Sequence, residues 1–114
     1  MSKKYNVWIV CTGHIANSFH IPSFLKNTRV GKIHLFDLNK ENLKKTSKKF
    51  KILSTFTNFK KMISRQNIDI LNICTPPSFH FKYITEGIKN NLNLIVEKPF
   101  VISTKQLNYI KKKI

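Results

Sequence analysis

A chain of 114 residues is one domain's worth, long enough to bury about two-thirds of its unfolded surface in a single core. Its 41% hydrophobic content excludes a disordered chain, because that much apolar surface offsets the entropy of ordering. The net charge of +16 reads as solvated surface rather than a nucleic-acid interface: 19 Lys stand against only Arg29 and Arg65, whereas phosphate and base-edge recognition favours the guanidinium fork.

The start, Met1-Ser2-Lys3-Lys4, is basic, but the apolar run Val7–Cys11 is far too short for a signal peptide or a membrane span. Cys11 and Cys74 are too few for a disulfide scaffold, and no Cys/His cluster has metal-ligand spacing. A reducing cytoplasm is the expected compartment, with no membrane partner and no metal.

Val7–Val10 predicts the first strand. A helical segment, Ile15–Lys26, follows and is expected to be interrupted at Pro22. Ile33–Phe36 predicts a second strand, Asn39 caps a helix over Glu41–Phe50, and Lys51–Thr55 is a weak edge strand. Asn58 caps a third helix over Phe59–Gln66. Ile68–Ile73 predicts a strand, Phe81–Asn90 a helix ending at Asn90-Asn91, and Leu92–Val96 a strand. Ser103-Thr104-Lys105-Gln106 has capping-box spacing and opens a last helix through Tyr109 and Ile110.

The strand runs are short and continuously apolar, as strands buried on both faces are. Their alternation with helices predicts an α/β fold: a doubly wound parallel sheet of Rossmann type, strand order 3-2-1-4-5 with flanking helices, as one domain over residues 1–114.

The stretch Cys11-Thr12-Gly13-His14-Ile15-Ala16 lies where such a fold grips a dinucleotide pyrophosphate. Three small residues normally share that work: the first bends the chain, the second admits the phosphates, the third lets helix and strand pack closely. Gly13 and Ala16 fill the second and third places. Cys11 departs from the first, and a positive φ there would cost its side chain about 1 kcal/mol. Backbone N–H groups of Thr12 to Ile15 and the helix start still offer an anion site.

Asp37 closes the second strand, where a carboxylate accepts hydrogen bonds from the adenosine ribose hydroxyls. With five acidic residues in the whole chain, an acid at this site is informative. It favours NAD over NADP, since it repels a 2′-phosphate; Lys40 leaves NADP open.

Further on, Ile73-Cys74-Thr75-Pro76-Pro77-Ser78-Phe79-His80 and Ile95-Val96-Glu97-Lys98-Pro99 give the chain a second signature. With them it resembles the Gfo/Idh/MocA oxidoreductases, which include glucose–fructose oxidoreductase and inositol dehydrogenase. The resemblance runs from about Tyr5 to Gln106. It implies that Thr75, Pro76 and Pro77 line the cofactor channel and that Glu97, Lys98 and Pro99 lie near the nicotinamide. It further implies that Lys98 helps place nicotinamide and substrate and assists proton transfer, which makes it the candidate catalytic residue.

His80, close enough to the rim to touch the cofactor, reads more readily as a structural hydrogen bond. His14 offers its backbone N–H, His20 reads as helix-end packing and His34 as a strand residue; none needs a catalytic role. Cys11 and Cys74 end neighbouring strands and read as small buried thiols.

Family members carry a second, substrate-binding domain beyond the Glu-Lys-Pro segment. The resemblance therefore implies an NAD(P)-binding domain of a sugar or polyol oxidoreductase, not catalytic by itself and completed by a further domain or partner chain, with homo-oligomers open. Two other classes compete: a regulatory or scaffold protein that kept the fold without the chemistry, and a basic nucleic-acid-binding protein.

Overall fold

The computed structural model describes residues 3–65 and 67–114. Five strands, β1 (Tyr5–Val10), β2 (Val30–Phe36), β3 (Thr55–Phe56), β4 (Ile70–Ile73) and β5 (Asn93–Val96), form one parallel sheet in the order β3-β2-β1-β4-β5. The expected strand order is the one observed.

Alternating residues of β1 feed two cores, because successive side chains of a strand point to opposite faces. Trp8 and Val10 join Phe36, Leu71 and Ile73 on one face. Three helices cover it: α3 (Phe59–Ile63) through Met62, α4 (Pro77–Lys89) through Tyr83 and Ile84, and α5 (Thr104–Lys113) through Ile110. Val7 and Ile9 join Leu35 on the other face, beneath α1 (Ile21–Lys26) and α2 (Lys40–Phe50), which contribute Ile21 and Leu43. Where α4 crosses β5, a Cβ on Gly87 would collide with the side chain of Leu94, so the missing side chain sets how closely helix and strand approach.

Three predicted caps form. The side chains of Asn39, Asn58 and Ser103 accept from the backbone N–H groups of Asn42, Lys61 and Gln106 at 3.0, 3.0 and 3.1 Å. Each thereby satisfies a donor that the first helical turn leaves without a partner.

Several boundaries differ from the sequence reading, four of them for reasons the structure makes plain. Pro22 does not interrupt its helix. Instead a π-helical turn, Ala16–His20, precedes it and runs directly into α1. The wider turn accommodates a residue that lacks an N–H and crowds the carbonyl four residues back.

The edge strand lies at Thr55–Phe56 and not at Lys51–Thr55. Lys51 is the left-handed cap of α2, with φ 57°, and Ile52 N–H returns to Ser47 O at 3.0 Å. Helix α4 starts at Pro77, four residues before the expected Phe81, because proline's fixed φ suits a helix's first turn. Helix α3 ends at Ile63, capped by Ser64; Gln66, the expected end, lies outside the described residues.

Candidate functional site: a cleft at the carboxyl ends of the strands

Parallel pairing brings the strand ends to one rim. Val10 pairs with Phe36 and with Ile73, and Ile73 with Val96. The residues that follow those strands, Cys11, Asp37, Cys74 and Glu97, therefore emerge together. Open α/β sheets bind their ligands at this rim, where the strand order reverses.

A cleft of about 430 Å³ opens there. Its walls are Cys11, Gly13, His14 and Ile15 from the loop after β1, Asp37 and Asn42, then Cys74 to Pro77, Glu97 and Lys98. It brings together ten of the twelve residues expected at the cofactor. Asn42, in the first turn of α2, is a wall residue that the sequence reading did not single out.

Cys11 has φ 76°, the left-handed value that the first glycine of such a loop normally adopts. The strain of about 1 kcal/mol is held in place by the bonds around it. Cys11 N–H donates to Phe36 O at 2.8 Å. Asn17 Nδ2 donates to the carbonyls of Thr12 and Gly13, both at 2.8 Å, while Asn17 Oδ1 accepts from the hydroxyl of the buried Thr46.

Thr12 lies behind the cleft wall, almost wholly buried. Its N–H and its hydroxyl both donate to Asp37 Oδ2, at 2.9 and 2.8 Å, and Asn39 N–H donates to Oδ1 at 2.9 Å. Three of the roughly four acceptor positions of a carboxylate are thus filled, and Oδ1 keeps capacity for one more donor.

Two observations test whether a dinucleotide suits this cleft. A Cβ on Gly13 would meet no atom within 4 Å, and Gly13 has no positive φ. Its lack of a side chain answers neither internal packing nor backbone strain, and what it provides is close access to the loop's amides. Thr75, also lining the cleft, is 5% exposed, and its Oγ1 has no hydrogen-bond partner among the described residues. A buried hydroxyl without a partner is costly, and a polar ligand in the cleft would satisfy it. The residues fit the group.

His80 does not line the cleft. It is fully buried, with Nε2 2.8 Å from Thr75 O and Nδ1 2.8 Å from Pro99 O. With a backbone carbonyl facing each ring nitrogen, it sits between the Thr-Pro-Pro and Glu-Lys-Pro segments, and its ring N–H donates to one of them.

His20 is more than helix-end packing. Its Nε2 lies 2.6 Å from Glu97 Oε2, and its Nδ1 lies 3.0 Å from Nδ2 of the buried Asn72. That hydrogen bond, followed by the one from Lys98 N–H to Oε1 at 3.2 Å, holds the Glu97 carboxyl below its ordinary range. A polar Asn72 inside an otherwise apolar strand was the only sequence signal for this contact.

Cys11 packs on the Trp8 face and Cys74 on the Val7 face, so the two thiols diverge from adjacent strand ends. Burial pushes each up to about 12, with the charges of Asp37 and Glu97 adding at Cys11 and Cys74 respectively. Among the described residues no three His, Cys, Asp or Glu cluster to hold a metal, and no helix is long and apolar enough to cross a membrane.

The chain is similar over 110 residues to oxidoreductase P35 of Formosa agariphila, at 24% identity, covering 96% of this chain and 34% of that one. Among solved structures, GenD2 from gentamicin A biosynthesis, crystallised with NAD, matches with TM-score 0.89 and 19% identity. That match covers 99% of this chain and 32% of GenD2. The WlbA dehydrogenase of Bordetella pertussis, crystallised with NADH and UDP-GlcNAcA, matches with TM-score 0.87 and 20% identity over 98% of this chain and 33% of its own. The chain thus spans about a third of the length of these relatives. The family model described as the oxidoreductase family's NAD-binding Rossmann fold matches residues 5–114. By that match the chain belongs to the Gfo/Idh/MocA oxidoreductases and constitutes their NAD-binding Rossmann domain.

Proposed function

We propose that this chain is the cofactor-binding part of an oxidoreductase that moves a hydride between NAD and a sugar or polyol. The observation that carries the reading is the Thr12–Asp37 contact, which sets the open amides around Gly13 beside the strand-two carboxylate in one cleft. Asp37 would hold the adenosine ribose, the amides of Gly13 to Ile15 and the start of the helix would hold the pyrophosphate, and Glu97 and Lys98 would face the nicotinamide. Bound NAD supplies the hydride acceptor.

Thr75, Pro76 and Pro77 form the wall between those ends, and Thr75 Oγ1 gains a partner there. Lys98 is exposed at the cleft edge, where it orients the reacting groups and serves the proton that accompanies hydride transfer. An almost fully buried Asp37 disfavours a 2′-phosphate, so NAD is preferred to NADP.

Hydride transfer also needs an alcohol or carbonyl held against the nicotinamide. Residues 5–114 match the cofactor domain alone, so the groups that hold the sugar come from a further domain or a partner chain, and turnover by these residues alone is negligible. Cytoplasmic residence and function as one domain belong to the same reading. Titration of NADH by fluorescence against the parent chain and Asp37→Ala tests it: saturable binding that the substitution weakens supports the reading, and binding indifferent to it refutes the site.

A further inference from the structure

We infer that His20 is a positioning residue for the nicotinamide end of the cleft, acting through Glu97. The role holds only if a dinucleotide occupies the cleft. Asn72 is fully buried in β4, paired between Ile9 and Ile95. Its amide nitrogen donates to His20 Nδ1 at 3.0 Å and to Cys74 Sγ at 3.1 Å, while its oxygen lies 3.2 Å from the same ring nitrogen. Accepting from that fixed amide at Nδ1 holds the ring in place and leaves its proton on Nε2. The opposite nitrogen, Nε2, donates to Glu97 Oε2 at 2.6 Å.

A short, charge-assisted hydrogen bond of this kind is among the stronger side-chain contacts. The remaining oxygen, Oε1, accepts Lys98 N–H. Both carboxylate oxygens are therefore committed, and the segment that carries Lys98 is anchored to the sheet through three side chains.

The strand order gives the anchor its specificity. Asp37 follows β2 and Glu97 follows β5, with the loop after β1 between them. A dinucleotide laid across the reversal point puts its adenosine on one side and its nicotinamide on the side of Glu97. Loss of His20 loosens the second half and leaves the first intact.

The experiment compares dissociation constants for NADH and for ADP-ribose, which lacks the nicotinamide. His20→Ala is expected to weaken NADH roughly tenfold, the scale of one charge-assisted bond, and to leave ADP-ribose unchanged. His20→Gln, whose amide can donate from the position of Nε2, restores most of the NADH affinity. His20→Phe keeps the bulk of the ring but has no donor for Glu97 Oε2 and gives the same split, so the test survives a His20→Ala chain that does not fold. Equal losses for both ligands, or no loss for NADH, overturn the inference. Failure of the parent chain to bind ADP-ribose instead refutes the cofactor reading itself.

Discussion

Thr12 gives both its backbone N–H and its hydroxyl to a single oxygen of Asp37, across a separation of 25 residues. The contact welds the loop after β1 to the end of β2 and fixes the width of the cleft between them. Thr12→Val keeps the shape and removes one bond to a carboxylate, which costs about 2 kcal/mol. Asp37→Ala costs about 3 kcal/mol or more, because the Thr12 N–H, the Thr12 hydroxyl and the Asn39 N–H all lose their acceptor. Urea denaturation of the two variants checks both the sizes and their order.

Cys11 places two effects in competition. Its side chain packs on the core, yet its φ of 76° suits glycine. Cys11→Gly exchanges strain relief against lost packing and unfolded-state entropy and is expected to change stability by less than about 1 kcal/mol. Cys11→Val fills the same space but forces a β-branched residue into the left-handed region, and it destabilises by about 2 kcal/mol. If packing dominated, the order of the two variants would be reversed.

Burial pushes both thiols up to about 12, so far less thiolate exists at neutral pH than for a free cysteine. Alkylation of the folded chain at pH 7.5 is expected to be at least about a hundredfold slower than alkylation in urea. Mass spectrometry of timed samples reads the difference at each cysteine.

His34 stacks on Trp8 with ring centroids 3.9 Å apart. Burial, then the charges of Lys32 and Arg65, hold its pKa below the ordinary 6.5. The folded chain thus resists a proton that the unfolded chain takes up readily. The contribution to stability is complete above pH 6.5 and declines as the pH falls below it toward the folded value. The urea midpoint is expected to drop between pH 7 and 5, with a shallower slope in His34→Phe.

Much of this was written in the sequence in readable form. Buried parallel strands are continuous apolar runs, so Val7–Val10 and Ile33–Phe36 marked the sheet and its order, and Gly13, Asp37, Thr75 and Lys98 marked the cleft by position relative to those strands. The edge strand was misplaced because its location depends on Lys51 taking a left-handed cap, a conformation lysine does not announce. The start of α4 was placed too late, at Phe81, although Pro77 begins it. The His20–Glu97 contact joins residues 77 positions apart, and no local periodicity reports such a pair. Its single trace was Asn72, a polar residue that an apolar strand had no local reason to contain.

The central claim is that the open space over Gly13 belongs to a pyrophosphate, and Gly13→Val tests it most directly. A Cβ there meets no protein atom within 4 Å and no positive φ, so the variant should melt close to the parent's temperature while losing NADH binding by fluorescence titration. A variant that binds NADH as well as the parent does would contradict the account.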